Sequence, residues 1–342
     1  MFNAEFNNVA CFEERKGING WYLARFPEAL RSKLGSVGPL AAEESSCLEI
    51  RFVTDATMIR LSVTNLEPNS KGANLSKVHV YKGDFLKATH TLERGVINQI
   101  EVMSFGGFGD MPEENLYNNY FSPNVWRFVF VECTPMLHEI NTYGFELRPP
   151  TAQEKPKLKM LSYGSSITHH GSEIDGYSYV HHAARRLKVD ILGKGTGGSC
   201  FCDNGMADFF TNECEWDFAT LELGVNMIGS FETEEFRSRV AYMLKTLSAK
   251  HPQKHIWAID IFSNYFDYDS KLIDSEAAIR QRAFRETVKE EVARINSTYV
   301  HYLPGREVQP DLDGLSADFL HPSFWGHQKM GERLAEVIQR VL

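Results

Sequence analysis

No apolar run in the 342-residue chain approaches the roughly 20 residues that cross a bilayer as a helix. The first residues, "MFNAEFNNVACFEERKG", lack a basic segment followed by an apolar one, so they do not read as a secretory leader. Basic residues are in the minority, with 36 Lys and Arg against 45 Asp and Glu, a formal charge of −9. That balance, with the two signs interspersed, argues against a nucleic-acid surface and against a polybasic membrane patch. Cysteine is scarce, and its six copies are irregularly spaced. They read as reduced thiols of a cytoplasmic protein rather than as a disulfide framework. Cys200-Phe-Cys202, His169-His170 and His181-His182 also lack the C-x2-C and H-x3-H spacings of zinc sites, so no metal is expected. No internal repeat is visible.

What is present is the composition of a folded protein, 43% hydrophobic and 24% charged, in a chain long enough for two cores. Residues 1–150 read as β-rich. "CLEIRFVTDATMIRLSVTN", "KVHVYKGDF" and "NVWRFVFVE" alternate or run apolar between turn residues, as strands of a β-sandwich or jelly roll do. "SFGGFGDMPEENLYNNYFSPN" is polar and turn-rich and reads as a long loop. "LRPPTAQEKPKLK", with its three prolines, reads as a linker. From residue 157 to the end the pattern changes. Buried strands ("LKMLSYG", "VDILGKG", "FATLELGVN", "KHIWAIDIF", "TYVHYLPG") alternate with helical segments ("YSYVHHAARRL", "TEEFRSRVAYMLKTLSAKHP", "SEAAIRQRAFRETVKEEVARIN", "HPSFWGHQKMGERLAEVIQRVL"). That alternation predicts a three-layer α/β/α domain with a parallel, flavodoxin-like sheet over 157–342.

In such a sheet, ligands bind beyond the C-terminal ends of the strands. Ser166 falls there, after Gly164 and at a helix start. Taken alone it is more readily a helix N-cap than a nucleophile. Gly197-Gly198 follows the second strand and suits close approach of a backbone N–H, though a plain turn uses glycine equally well. Asn226 follows the third strand in "LGVNM", where its amide is a neutral donor or an ordinary turn residue. Asp318 and His321, three residues apart, share one side of a turn before the last helix. The carboxylate can orient the imidazole there, and Pro322 suits the start of the helix. Each element is weak alone; their order along one sheet edge is much harder to obtain by accident.

The ordered set "YGSSIT", "GTGGS", "LGVN" and "DFLHP" resembles the SGNH hydrolases, or GDSL esterases and lipases, over residues 157–342. The resemblance implies Ser166 as nucleophile, His321 as base and Asp318 as its orienting acid. It also implies an oxyanion hole formed by the N–H groups of Ser166 and Gly198 and the amide of Asn226, with no metal or organic cofactor. Two positions depart from the family pattern, Ser165 and Met227 standing where aspartates are usual, and they mark a divergent branch. A β-rich domain ahead of the hydrolase domain is in turn similar to carbohydrate esterases that remove acetyl groups from sugars.

The expected activity is therefore hydrolysis of a short acyl ester, acetyl above all, on a small-molecule or oligosaccharide substrate. Aromatic residues near the site (Phe201, Tyr265, Phe266, Phe324 and Trp325) suit sugar rings, with Tyr265 and Trp325 the candidate substrate contacts. Packing beneath loops is the commoner fate of any one such ring. "GGFGDMPEENLYNNYF" is the segment of the first domain expected to reach the site mouth. Two rivals stand beside this reading, an acyltransferase on the same scaffold and a non-catalytic carbohydrate-binding protein. A homo-oligomer is left open.

Overall fold

The computed structural model describes residues 2–66, 76–104, 111–117, 120–172 and 174–342. The chain divides into two compact units. One comprises Met1–Glu28, Ala42–Lys157 and Lys188–Leu192; the other comprises Ala29–Ala41, Leu158–Leu187 and Gly193–Leu342. Among the described residues no helix is long and apolar enough to cross a membrane. None of the six cysteines forms a disulfide.

The first unit contains two antiparallel sheets. One orders Glu5–Asn7, Leu48–Thr54, Val125–Val131, Lys77–Lys82 and Phe85–Thr91, with Leu147–Arg148 also paired to Leu48–Thr54. The other orders Cys11–Arg15, Ile18–Ala24, Pro135–Asn141, Met58–Asn65 and Ile97–Met103. Strand periodicity explains the packing. Trp126, Phe128 and Phe130 alternate onto one face, with Ile50 and Val80 opposite Phe128 on its two neighbours. They share one core with Ile59, Leu61, Val63 and Leu137 of the second sheet, which makes the unit a sandwich. Each fully buried side chain of this size contributes about 1.5–3 kcal/mol before conformational entropy is set against it.

The opposite face of the same strands is buried and charged. Arg51 pairs bidentately with Asp190 at 2.7 Å and reaches Glu49 at 2.8 Å, while Arg127 grips Glu49 at 2.9 and 2.8 Å.

The proline-rich segment after residue 146 is not a free linker. Leu147–Arg148 is a strand, Arg148 pairs bidentately with Glu154 at 2.7 and 2.9 Å, and Ser122 N donates to Glu154 O at 3.0 Å. These bonds tie the segment to the first unit, so its prolines punctuate ordered chain. The long loop also holds a helical turn, Glu113–Leu116; its residues 105–110 and 118–119 lie outside the described residues.

The second unit is built on parallel pairings of Lys159–Tyr163 with Phe218–Glu222, of Phe218–Glu222 with Ile256–Ile259, and of Ile256–Ile259 with Val300–Leu303. The Phe218–Glu222 and Ile256–Ile259 strands are buried along their whole length, as expected of a parallel sheet covered by helices. Tyr179–Leu187 packs with Phe324–Gln339, and Thr233–Lys250 packs with Asn204–Asn212 and Glu276–Ile295. The helix Asn204–Asn212 is not foreseen in the sequence, because Gly and Asn weaken its helical signal, yet it buries Met206, Phe209 and Phe210. Parallel strands leave all their C-terminal ends on one edge, where the segments after Tyr163, Glu222 and Ile259 emerge.

Candidate active site

Ser166 opens the short helix Ser166–His169, directly beyond the strand Lys159–Tyr163. Its Oγ lies 2.8 Å from His321 Nε2, and His321 Nδ1 lies 2.6 Å from Asp318 Oδ2. The backbone N–H groups of Leu320 and His321 both donate to Asp318 Oδ1 at 3.0 Å. The carboxylate is therefore fixed by its own turn, although half of its side chain is exposed. Partial burial alone would raise the Asp318 carboxyl, but the hydrogen bond from His321 and the two backbone donors outweigh it. They hold it below the usual aspartate range. The Asp318–His321 turn is closed by Ser316 N donating to His321 O at 2.7 Å and by Phe319 in the left-handed region at φ 52°. Pro322 does not open the last helix as expected. Ser323 is its N-cap, accepting from Gly326 N at 3.2 Å, so Pro322 precedes the cap.

The helix cap is not Ser166, as the plainer reading of that residue had it, but its neighbour Ser165. Its Oγ accepts from Ile167 N at 3.2 Å, which leaves the Ser166 hydroxyl to the imidazole. Ser166 N has no acceptor among the described residues.

The segment after Gly193 runs beside this turn, with Lys194 N donating to Ser162 O at 2.7 Å and Thr196 N to Gly164 O at 2.9 Å. The two glycines that follow differ. Gly197 N is engaged by His169 Nδ1 at 3.2 Å. Gly198 N is unengaged among the described residues, and its φ of +71° is one that side chains rarely adopt. A Cβ there would meet Val37 at 3.1 Å. Asn226 lies in the one-turn 3-10 helix Val225–Met227, and its Oδ1 accepts from Cys200 N at 3.1 Å. That bond assigns the amide and turns its NH2 group away from Cys200, with no acceptor among the described residues. Met227, the other departure from the family pattern, is fully buried.

Ser166, His321 and Asp318 are thus joined by direct hydrogen bonds. Gly198 and Asn226 are linked to each other through the Gly198–Cys200 segment. Tyr265 N donates to Phe319 O at 2.9 Å, which brings Tyr265 to the Asp318–His321 turn. Trp325 is the second residue of the last helix, four residues after His321, and is 66% exposed. The candidate rings pack against other rings, Tyr265 with Phe266 at 4.4 Å, Phe324 with Trp325 at 5.1 Å and Phe201 with Phe231 at 5.1 Å. One polar residue of the site escapes the sequence reading. Glu222 is 1% exposed and accepts from Ser165 N at 2.6 Å. Its signal is a carboxylate inside the mostly apolar "FATLELG", a residue type almost never buried without a partner.

A model of the GDSL-like lipase/acylhydrolase family matches residues 157–339, more than half of the chain. The chain belongs to that family. It is a carboxylic ester hydrolase. No curated protein matches the sequence. Solved structures show the same fold over nearly the whole chain. A salicylyl-acyltransferase from a tetracycline biosynthetic pathway is 16% identical, with a TM-score of 0.80 over 99% of this chain and 96% of that one. A family two carbohydrate esterase from Clostridium thermocellum, solved in complex with cellohexaose, is 14% identical, with a TM-score of 0.59 over 98% of each chain. An acetyl xylan esterase from the rumen bacterium Butyrivibrio proteoclasticus is 12% identical, with a TM-score of 0.54 over 86% of this chain and 89% of that one.

Proposed function

We propose that this GDSL-family hydrolase cleaves short acyl esters, acetyl above all, on a carbohydrate through an acyl-enzyme on Ser166. The observation that carries the reading is the unbroken chain from Ser166 Oγ through the His321 imidazole to Asp318, at 2.8 and 2.6 Å. His321 Nε2 takes the hydroxyl proton as Ser166 Oγ attacks the ester carbonyl. The oxyanion then meets three unengaged donors, Ser166 N–H, Gly198 N–H and the Asn226 amide, each typically worth ~3 kcal/mol in such a transition state. Collapse expels the alcohol, protonated by His321. Water, deprotonated by the same imidazole, attacks the acyl-enzyme and releases the acid and Ser166.

Val37, packed against Gly198, narrows the space beside that donor and favours a short acyl group. The exposed face of Trp325 and the nearby Tyr265 suit the flat faces of a sugar, a preference supported by likeness to esterases solved with carbohydrate or described as acetyl xylan esterases. Hydrolysis of 4-nitrophenyl esters of increasing chain length, beside acetylated sugars, tests the reading. Acetyl should lead, and a preference for octanoyl or longer chains would overturn the short-acyl assignment.

A second reading is favoured by the likeness to a salicylyl-acyltransferase over 99% of this chain. The acyl-enzyme is common to both, and only the acceptor differs. Turnover with and without an added sugar alcohol separates them. A new ester at the expense of free acid marks transfer, and free acid alone marks hydrolysis.

A further inference from the structure

We propose that Glu222 is the positioning residue of the nucleophile turn, orienting Ser166 through an accepted hydrogen bond while taking no part in the chemistry. The inference rests on Ser166 being the nucleophile. Glu222 ends the strand Phe218–Glu222. Its Oε2 accepts from Ser165 N at 2.6 Å and from Thr168 Oγ1 at 3.2 Å, and the Thr168 hydroxyl also meets Tyr179 OH at 3.0 Å. The two donors bracket Ser166, one residue before it and two after. Gly164 lets the backbone rest directly on this group, since a Cβ there would lie 2.5 Å from Oε2 and 2.2 Å from Thr168 Oγ1.

Glu222 Oε1 has no partner among the described residues, and burial pushes the carboxyl above its usual range. A buried carboxyl with one oxygen unpaired is costly, and an apolar side chain would fill the strand position without that cost. Only an acceptor meets the Ser165 N–H.

The consequence falls on one peptide. Ser165 is held at its N by Glu222, at its Oγ by Ile167 N and at its carbonyl by His169 N at 2.9 Å. Those three bonds set the plane of the Ser165–Ser166 peptide, and so the direction of the Ser166 N–H and the point from which its Oγ leaves. A small rotation there misaligns attack and oxyanion binding together, while leaving the alcohol-binding surface untouched.

Steady-state kinetics on 4-nitrophenyl acetate with wild type, Glu222→Met, Glu222→Gln, Thr168→Val and Ser166→Ala, with Tm measured for each, tests this. Glu222→Met should lower kcat at least ~10-fold with KM within about twofold, the pattern of a group that acts only on transition-state geometry. Glu222→Gln keeps an acceptor for Ser165 N and should stay within about threefold of wild type. Thr168→Val, which keeps the side-chain volume, should lower kcat with KM unchanged, and it decides the matter if Glu222→Met does not fold. Unchanged kcat in Glu222→Met or, failing that variant, in Thr168→Val would overturn the proposal. So would a loss in Glu222→Gln as large as in Glu222→Met, or losses confined to KM. If Ser166→Ala turns over normally, the nucleophile assignment itself fails. If it is inactive while Glu222→Met is unimpaired, only this inference fails.

Discussion

Asp318 is gripped by two backbone N–H groups and by the imidazole while half of its side chain faces solvent. Its carboxyl is held below the usual range, so it stays ionised through mildly acidic conditions. Attack by Ser166 needs an unprotonated base, so the activity should rise from acid toward neutral pH, with Asp318 already charged throughout. A kcat profile that is flat from mildly acid to alkaline conditions, with chemistry rate-limiting, would remove His321 as the base. Asp318→Asn should keep the fold and lose a factor on the order of 10^3 to 10^4 in kcat, because an amide NH2 facing Nδ1 favours the wrong tautomer. Ser165→Ala removes the Oγ cap but keeps the bonds at the Ser165 N and carbonyl, so it should cost about 1 kcal/mol of stability in a thermal melt and lower kcat less than Glu222→Met does. Gly198→Ala places a side chain at φ +71° against Val37, and kcat should fall through a displaced N–H. That Ser166, His321 and Asp318 come together was legible because each lies in a short motif just past a strand or before a helix. Glu222 was not, because its partner is set by the pairing of two strands, which no local pattern reveals.

At the scale of elements, the alternating segments of residues 157–342 were readable because buried parallel strands and amphipathic helices carry different periods. The helix Asn204–Asn212 and the strands Glu5–Asn7 and Cys11–Arg15 were not, the former for its Gly and Asn and the latter for their short, polar sequences. The paired face of Leu48–Thr54 and Val125–Val131 yields a stability prediction. Burial would raise the Glu49 carboxyl, but Arg127 and then Arg51 outweigh it and hold it well below its usual range. A carboxyl whose pKa is lower folded than unfolded contributes fully at neutral pH, and that contribution is lost as pH falls below about 4.3. Urea unfolding of the wild type should show this acid loss. Glu49→Gln, which leaves two arginines short of a buried partner, should cost about 3–5 kcal/mol at neutral pH and flatten the dependence. Equal midpoints for the two proteins at pH 7 would contradict that account.

For the whole molecule, the division of the chain is less simple than a boundary near residue 150. Ala29–Ala41 groups with the α/β unit, where Val37 meets Gly198 and Leu30 lies 3.1 Å from the site of a Cβ on Gly205. No sequence signal marks that excursion, since contacts this distant in sequence depend on the finished fold. A chain cut to residues 157–342 lacks the segment and is expected to melt well below the full protein and to lose ester hydrolysis. Equal Tm and activity would show the segment to be dispensable. The central claim, that Ser166 carries the acyl group, is tested most directly by covalent trapping. After reaction of the full-length protein with a fluorophosphonate, intact mass and peptide mapping should show one adduct, on Ser166, and none in Ser166→Ala. An adduct on Ser165 or another residue, or an unlabelled wild type that still hydrolyses esters, would contradict the account.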